Sequence, residues 1–214
     1  MDPAILTAVV LIVVAYLLGS IPVGAIVARL VGGPDLRSVG SGRTGGTNAL
    51  RALGRKWAAV VVIGDLAKGA VPVLIARQVT GDPLVEVVCG AAAVTGAIWS
   101  IFAGFRSGRG VGTGVGTMLV IQPIAVLLAA PVFVIVIALT RYVSLGSLLG
   151  SAAMFPAMLL VLLVVPGTPL PYVLYSAVGA ALIWLAHADN IDRLLHGTER
   201  KFDFGLLAGK PPAG

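Results

Sequence analysis

Residues 111–140 read VGTGVGTMLVIQPIAVLLAAPVFVIVIALT, a stretch of sequence without a charged side chain. A helix needs about 20 such residues to cross about 30 Å of hydrocarbon. This stretch therefore belongs in a membrane, but it is too long for one ordinary span. Pro123 and Pro131 interrupt it, and three closely spaced glycines loosen its beginning. We therefore predict two short or bent helices here.

The composition of the whole chain agrees with a membrane protein. Of its 214 residues, 58% are hydrophobic and only 11% are charged, where a soluble domain carries about 25% charged residues. The mean hydropathy is +1.02. The polar residues are too few to cover a folded core in water. The bilayer must therefore solvate most of the surface. The net charge of +6 lies in short gaps between apolar runs, which argues against a nucleic-acid partner.

Other apolar runs are candidate membrane segments: residues 4–31, 57–77, 84–103, 143–165 and 170–187. The first is interrupted near its centre by Gly19-Ser20-Ile21-Pro22, where the proline breaks the helical hydrogen bonds. No positive region precedes this first run and no small-residue cleavage site follows it, which predicts an uncleaved helix. With the two helices in residues 111–140, seven membrane segments are expected.

The distribution of cations predicts the orientation. The gap 32–56 contains five cations and one carboxylate, and burying five cations at mid-membrane would cost more than about 10 kcal/mol. By the positive-inside rule this gap is cytoplasmic, as are the gap around Arg106 and the C-terminal tail, whereas the gap around Asp82 is external. We predict an all-α polytopic membrane protein with its N-terminus outside and its C-terminus in the cytoplasm. It forms a single domain, residues 1–214, whose last dozen or so residues are a mobile tail.

The segment 35–51, DLRSVGSGRTGGTNALR, is the first candidate for chemistry. Hydroxyl, amide and guanidinium donors alternate with glycines whose bare N–H groups can surround an anion. The donors of this segment, Ser41, Asn48 and Arg51 among them, and its glycines, including Gly42, are therefore candidates for a phosphate site, and the pattern alone does not choose between them. The segment also contains the pattern Gly-x-Gly-x-x-Gly, but no strand precedes it, so a dinucleotide site is not expected. The alternative is an ordinary solvated loop.

Two shorter segments are also candidates for a phosphate site. Residues 104–110, GFRSGRG, form a basic turn before a helix, which makes Gly108, Arg109 and Gly110 candidate anion ligands. Ser144 and Ser147 stand three apart at the start of another helix. The alternatives are a loop anchor for the turn and capping or packing roles for the serines.

Residues 187–199, HADNIDRLLHGTE, end the last apolar run. His187 and Asn190 stand three apart, so on a helix they face the same way and could together orient a hydroxyl group. The alternative is a polar helix end. Asp65 and Lys68 lie inside a span, where we expect an ion pair that fixes packing, with direct substrate contact as the other interpretation. Two histidines and one cysteine do not form a metal site.

Together these segments resemble the small bacterial membrane family of acyl-phosphate:glycerol-3-phosphate acyltransferases, which make lysophosphatidic acid at the start of phospholipid synthesis. The resemblance runs from about residue 15 to residue 202. Its carriers are LGSIPVG at 18–24, Gly40-Ser-Gly42 with residues 45–51, Asp65-x-x-Lys68-Gly69, SGRG at 107–110, VSLGS at 143–147, and His187-x-x-Asn190-Ile-x-Arg193-Leu with Gly197-Thr-Glu199.

The resemblance implies a role for each candidate. Ser41, Arg51, Arg109 and either Ser147 or Ser144 would hold the phosphate of glycerol 3-phosphate, with Ser147 fitting the family spacing better. His187 and Asn190 would hold the glycerol hydroxyls. The residues that would support the site are Asp65, Lys68, Arg193 and Glu199.

The expected reaction requires no cofactor, metal or covalent nucleophile. Acyl phosphate is already an activated anhydride, so the protein must chiefly bring the substrates together and stabilise developing negative charge. The expected partners are glycerol 3-phosphate, acyl phosphate and membrane lipid, and the expected location is the bacterial inner membrane with the site facing the cytoplasm.

The chain departs from the family pattern in the basic turn and its surroundings. Ala97 and Ser100 stand where the family has His and Pro, and Arg43 stands where it has Asn. Arg109 replaces Lys, which exchanges a point charge for a planar fork.

Two other functions stay open. One is a transporter or channel for an organic phosphate, although all the polar loops lie on one face of the membrane. The other is an inactive scaffold.

Overall fold

The computed structural model describes residues 2–208, and within them every regular element is helical. The helices are α1 (Pro3–Gly19), α2 (Val23–Leu30), α3 (Gly46–Thr80), α4 (Pro83–Ile98), α5 (Val111–Ile121), α6 (Pro123–Thr140), α7 (Val143–Val164), α8 (Leu170–Ala186) and α9 (Ala188–Leu195). Short 3₁₀ helices follow at Ile101–Ala103 and Phe204–Ala208.

The lengths of the helices show which of them can cross a bilayer. Among the described residues α3, α6, α7 and α4 with its following 3₁₀ turn are long and apolar enough alone. The pairs α1–α2 and α8–α9 pass the same test together but are bent by 41° and 65°. This gives four to six spans by length. α5 has 11 residues, about 16 Å, and is too short to span alone.

The stretch 111–140 forms two helices, as the sequence predicts. α5 ends at Ile121 and α6 starts at Pro123, where the missing N–H of proline is tolerated in the first turn. α9 carries three charged residues among eight, so we place it at the membrane surface rather than in the hydrocarbon.

The predicted break in the first apolar run lies between α1 and α2. Backbone carbonyls freed at such a break need new donors, because lipid offers none. The hydroxyl of Ser100 donates to the carbonyl of Ser20, and the Lys68 ammonium donates to the carbonyl of Ile21 at 3.2 Å. Lys68 also pairs with Asp65 at 2.8 Å. The expected intramembrane ion pair therefore forms, and it holds the break.

Close helix packing depends on glycines. A Cβ atom at Gly69 would clash with the carbonyl of Thr113, and one at Gly116 would clash with the carbonyl of Leu66. α3 and α5 therefore approach backbone to backbone. Large side chains on the outside, such as Leu139 and Leu163, are 79% and 82% exposed, as expected of a surface that faces lipid.

α3 begins earlier than the predicted span 57–77, because residues 46–53 are already helical. A break at Gly54, with φ of 79°, separates this first part from the rest of the helix. The first part brings Asn48 and Arg51 to the end of the bundle where α5 and α7 also begin. The gap 32–56 is thus partly helical, with an irregular loop only up to residue 45.

The last described residues, 200–208, form a segment that we call the C-terminal strap. The N–H of Phe202 donates to the carbonyl of Arg141 at 2.6 Å, and Arg141 Nε donates to the carbonyl of Phe202 at 3.0 Å. Arg55 donates to the carbonyl of Leu207 at 2.7 Å. The strap thus joins α3 to the start of α7. The remainder of the predicted mobile tail, residues 209–214, lies outside the described residues.

Candidate active site

A polar cavity of about 370 Å³ lies where α3, α5 and α7 begin and α8 ends. Every candidate site residue from the sequence lines it except Gly42. The candidates that it brings together are Ser41, Asn48, Arg51, Asp65, Lys68, Gly108, Arg109, Gly110, Ser144, Ser147, His187, Asn190, Arg193 and Glu199. Five of the six segments that carry the family resemblance therefore converge on one site, and the sixth, residues 18–24, does not line it.

Asn48 shapes the loop before α3. Its amide nitrogen donates to the carbonyls of Leu36, Val39 and Arg43 at 2.8 to 3.1 Å, and its oxygen accepts from the N–H of Ser41. With these bonds formed, the side chain has no donor left for a ligand. A phosphate-binding role for Asn48 stays a prediction, and it would require one of these bonds to break. Gly42 has a φ of 67° and donates its N–H within the same loop, so it too forms the turn.

Two helix N-termini line the cavity. The first residues of α3, Gly46 and Thr47, and the first residues of α5, Val111 and Gly112, contribute to its wall. Free N–H groups and the positive end of the helix dipole both favour an anion at such a position. Gly110 caps α5 with a φ of 75°, a backbone conformation that favours glycine.

In the basic turn, the charge of Arg109 is balanced by a carboxylate that lies far away in the sequence, that of Asp189. Arg109 pairs with Asp189 at 2.8 Å, and Arg193 reaches the same carboxylate oxygen at 3.3 Å. Burial alone would raise the pKa of Asp189, but the two guanidiniums hold it below its usual value. Sequence reasoning missed Asp189. A buried Arg109 requires a carboxylate partner, but the sequence does not indicate which carboxylate provides it.

Glu199 organises the other side of the cavity. Its carboxylate accepts hydrogen bonds from Ser144 at 2.9 Å, Asn190 at 2.8 Å and Arg193 at 2.8 Å. Burial opposes ionisation, but these donors, Arg193 above all, hold the pKa of Glu199 below its usual value. Ser147 instead donates to the carbonyl of Val143 in its own helix. Glu199 therefore fixes the positions of three site residues.

His187 and Asn190 do not share one straight helix. The chain bends by 65° between α8 and α9, and His187 stands at the bend. Its Nδ1 lies 2.7 Å from the carbonyl of Ile183. Because a carbonyl only accepts, Nδ1 carries the proton and Nε2 of the neutral ring is left as an acceptor. The buried Oδ1 of Asn190 has no partner among the described residues. Both side chains can accept hydrogen bonds from hydroxyl groups.

The cations of the cavity fall into two groups. Lys68, Arg109 and Arg193 each pair with a carboxylate. Within residues 2–208, by contrast, no carboxylate lies within ion-pair distance of Arg43, Arg51 or Arg200, although all three line the cavity. Sequence reasoning did not select Arg200 as a site residue. The cavity therefore keeps an excess of positive charge suited to phosphate.

A second, apolar cavity of about 270 Å³ lies between α5, α6, α7 and α8. We call it the apolar chamber. It shares Val111, Phe133 and Ser147 with the polar cavity, so the two spaces meet. Small residues, among them Gly150 and Gly179, leave it open, and the methionines of α5 and α7 lie at its far end. Apolar periodicity alone did not indicate this space.

The departures from the family pattern fall in and beside the polar cavity. Ala97 and Arg43 both line it, so a smaller side chain and an added cation replace the usual residues. Ser100 is buried and bonds to the break between α1 and α2. The departure at Ser100 therefore affects the support of the site rather than its surface.

The fold and the two connected cavities define a polytopic helical membrane protein with a cation-rich cavity next to an apolar space. The model of the glycerol-3-phosphate acyltransferase family matches residues 9–197, and the chain belongs to this family. The resemblance seen in the motifs is thereby confirmed.

Curated relatives match over nearly the whole chain. Glycerol-3-phosphate acyltransferase 3 of Dehalococcoides mccartyi (strain CBDB1) is 41% identical over 204 residues, covering 90% of this chain and 94% of the relative. The glycerol-3-phosphate acyltransferase of Geobacter sulfurreducens is 43% identical over 198 residues, covering 92% and 98%.

Two solved structures share the fold. PlsY (YgiH), an integral membrane glycerol 3-phosphate acyltransferase, matches in its glycerol 3-phosphate form with a TM-score of 0.85 and 38% identity, over 95% of this chain and 100% of that one. Its lysophosphatidic acid form matches with a TM-score of 0.84 and 36% identity, with the same coverage.

Proposed function

We propose that this protein transfers a fatty acyl group from acyl phosphate to the sn-1 hydroxyl of glycerol 3-phosphate, giving lysophosphatidic acid and inorganic phosphate. Family membership supports the acylation of glycerol 3-phosphate. The acyl-phosphate donor and the sn-1 position are the further steps of the proposal. In the reaction the glycerol oxygen bonds to the acyl carbon, and the bond from that carbon to the phosphate oxygen breaks.

The observation that carries the proposal is the junction of the two cavities. The reaction joins a small dianion to a long apolar chain, so its site needs a cationic space and an apolar space that meet at the reacting atoms. The two cavities share residues on three helices. Glycerol 3-phosphate would occupy the polar cavity, and the tail of the donor would enter the apolar chamber.

The arrangement supports catalysis by positioning and charge. His187 Nε2 and Asn190 Oδ1 are available to accept hydrogen bonds from the glycerol hydroxyls, and these bonds would align the attacking oxygen. The guanidiniums of Arg43, Arg51 and Arg200 and the helix N-termini would stabilise the negative charge that develops on the acyl oxygen and the leaving phosphate. A substrate phosphate then accepts the proton of the hydroxyl group.

The proton route has its own test. If a substrate phosphate accepts the proton, His187→Ala lowers kcat by about tenfold or less, because only an orienting hydrogen bond is lost. Complete loss of turnover with unchanged substrate binding would instead identify His187 as the base.

The decisive experiment is acyl transfer by the purified protein. Palmitoyl phosphate and labelled glycerol 3-phosphate are the substrates, with palmitoyl-CoA and other alcohol phosphates tested in parallel. Lysophosphatidic acid formed from the acyl phosphate alone supports the proposal. If the folded protein transfers no acyl group from any of these donors, the result would favour the inactive scaffold.

Arg51→Ala is the sharpest single variant for the phosphate site. Within residues 2–208 the Arg51 side chain forms no ion pair, so its removal costs the fold little. We expect loss of activity with an unchanged melting temperature in detergent. Arg106→Ala removes an exposed arginine outside the cavity and serves as the control. More than half of wild-type turnover in Arg51→Ala would exclude Arg51 from the site.

The transporter alternative fits the structure less well. An alternating-access carrier needs polar contacts that can be reached from both sides of the membrane. The polar cavity lies at one end of the bundle, and the space behind it is apolar. Family membership also favours the enzyme.

We also propose seven membrane segments, counting α5, with the N-terminus outside, in a bacterial inner membrane with the site facing the cytoplasm. The clustering of cations at the cavity end of the bundle supports this orientation. In a Cys89→Ala background, Asp2→Cys should react with a membrane-impermeant maleimide in intact cells, and Lys201→Cys should react only after lysis. The reverse pattern would invert the topology.

A further inference from the structure

Arg200 and Arg51 form a pair of like charges in the polar cavity. Both side chains line it, so their two positive charges lie in the wall of one cavity of about 370 Å³. Within the described part of the chain neither has a carboxylate within ion-pair distance. Such a pair is unfavourable by itself. It becomes favourable when an anion binds between the two guanidiniums.

The C-terminal strap fixes the place of Arg200. Two residues later, Phe202 exchanges hydrogen bonds with Arg141, and its side chain is only 7% exposed. Leu206 is 8% exposed, and Arg55 holds the carbonyl of Leu207. The residue before Arg200 is Glu199, which is bound by three donors. The chain is therefore anchored on both sides of Arg200, so the backbone of this residue lies at the cavity before a substrate arrives.

The geometry favours a phosphate monoester as the anion. A guanidinium offers parallel N–H groups that match two oxygens of one phosphate. Two guanidiniums also balance the two charges of a phosphate monoester near neutral pH. The N-terminus of α3, at Gly46, lines the same cavity and adds a positive dipole end.

We propose that Arg200 and Arg51 together bind the phosphate group of one substrate, with Arg200 supplied by the C-terminal strap. The inference rests on the proposed function, in which both glycerol 3-phosphate and acyl phosphate carry this group. It makes Arg200 a binding residue in addition to those expected from the family motifs.

The kinetic test compares Arg200→Ala, Arg200→Lys and the control Arg106→Ala, each substrate being varied with the other saturating. Arg200→Ala should raise the KM of one phosphate substrate about tenfold or more, as expected for a lost charge-assisted hydrogen bond, while kcat changes less than about threefold. The substrate whose KM rises is the one that is bound. Arg200→Lys should recover part of the loss, because the charge returns without the fork. Both KM values within about twofold of wild type would overturn the inference.

A binding test separates this inference from the proposed reaction. The rise in melting temperature caused by glycerol 3-phosphate, and separately by inorganic phosphate, is measured for wild type, Arg51→Ala, Arg200→Ala and the double variant. If one phosphate bridges both residues, Arg200→Ala reduces the rise less in the Arg51→Ala background than in wild type. Independent, additive effects contradict a shared phosphate, as does a wild-type protein that no phosphate stabilises. This readout holds even if the wild type shows no acyl transfer.

Discussion

Ser144 and Ser147 stand about one helical turn apart at the start of α7, yet their hydroxyl groups donate hydrogen bonds to different acceptors. Ser144 donates to the charged Glu199, whereas Ser147 donates to the carbonyl of Val143, which also belongs to the helical hydrogen-bond ladder. Turning Ser147 toward a phosphate takes no hydrogen-bond donor from a charged group, whereas turning Ser144 removes one of the three donors of Glu199. We therefore expect Ser147 rather than Ser144 to be the phosphate ligand, in line with the family spacing.

Ser147→Ala should lower kcat/KM for glycerol 3-phosphate by about tenfold or more, because a hydrogen bond to a charged group is lost. Ser144→Ala should have a smaller effect on kcat/KM but a larger effect on the melting temperature, because Glu199 loses a donor. Steady-state kinetics and thermal unfolding of the two variants in one detergent would measure both. A larger loss of kcat/KM in Ser144→Ala would reverse the assignment.

At the scale of elements, the ion pair inside α3 supports the broken first span. Lys68 joins Asp65 to the carbonyl of Ile21, and the side chains of the pair are only 8% and 17% exposed. Removing one partner of a buried pair leaves the other charge uncompensated. The pair therefore matters more for the position of the break than its net contribution to stability would suggest.

Lys68→Met should lower the free energy of unfolding by about 3 kcal/mol, because Asp65 is left as an unpaired buried charge. The double variant Asp65→Asn with Lys68→Met should recover much of this loss. Denaturant or thermal unfolding in a mild detergent would measure the cycle. Equal losses in the single and double variants would show that the two residues are not energetically coupled.

At the scale of the whole molecule, the apolar chamber connects the polar cavity to the space between four helices. Gly179→Leu would fill part of it, since nothing lies closer than 4.0 Å to a Cβ atom at this position. We expect the KM for palmitoyl phosphate to rise about tenfold, with the KM for glycerol 3-phosphate unchanged, because a long apolar side chain would displace several methylene groups of the donor. Kinetics with both substrates would measure this. A rise confined to the KM for glycerol 3-phosphate would place the tail elsewhere.

The sequence predicted features that depend on neighbouring residues and missed those that depend on distant ones. Apolar runs, the break at Pro22 and the Asp65–Lys68 pair are local, so their helices and spacing could be worked out directly. Arg109 and Asp189 are 80 residues apart, and nothing in either segment specifies the other. The hydrogen bonds of Asn48 within its own loop can be seen only in the folded structure. The same is true of the apolar chamber between four helices.

The polar cavity is assembled from residues that begin in the loop before α3 and continue to the C-terminal strap. Glu199 and Arg200 follow the last of the described membrane helices in the sequence, and they complete the wall of the cavity. A chain whose synthesis stops after α8 would therefore contain most of the membrane helices but lack this wall. We expect such a truncated chain to accumulate in the membrane without consuming acyl donor, so that chemistry starts only once Glu199 and the C-terminal strap have been made.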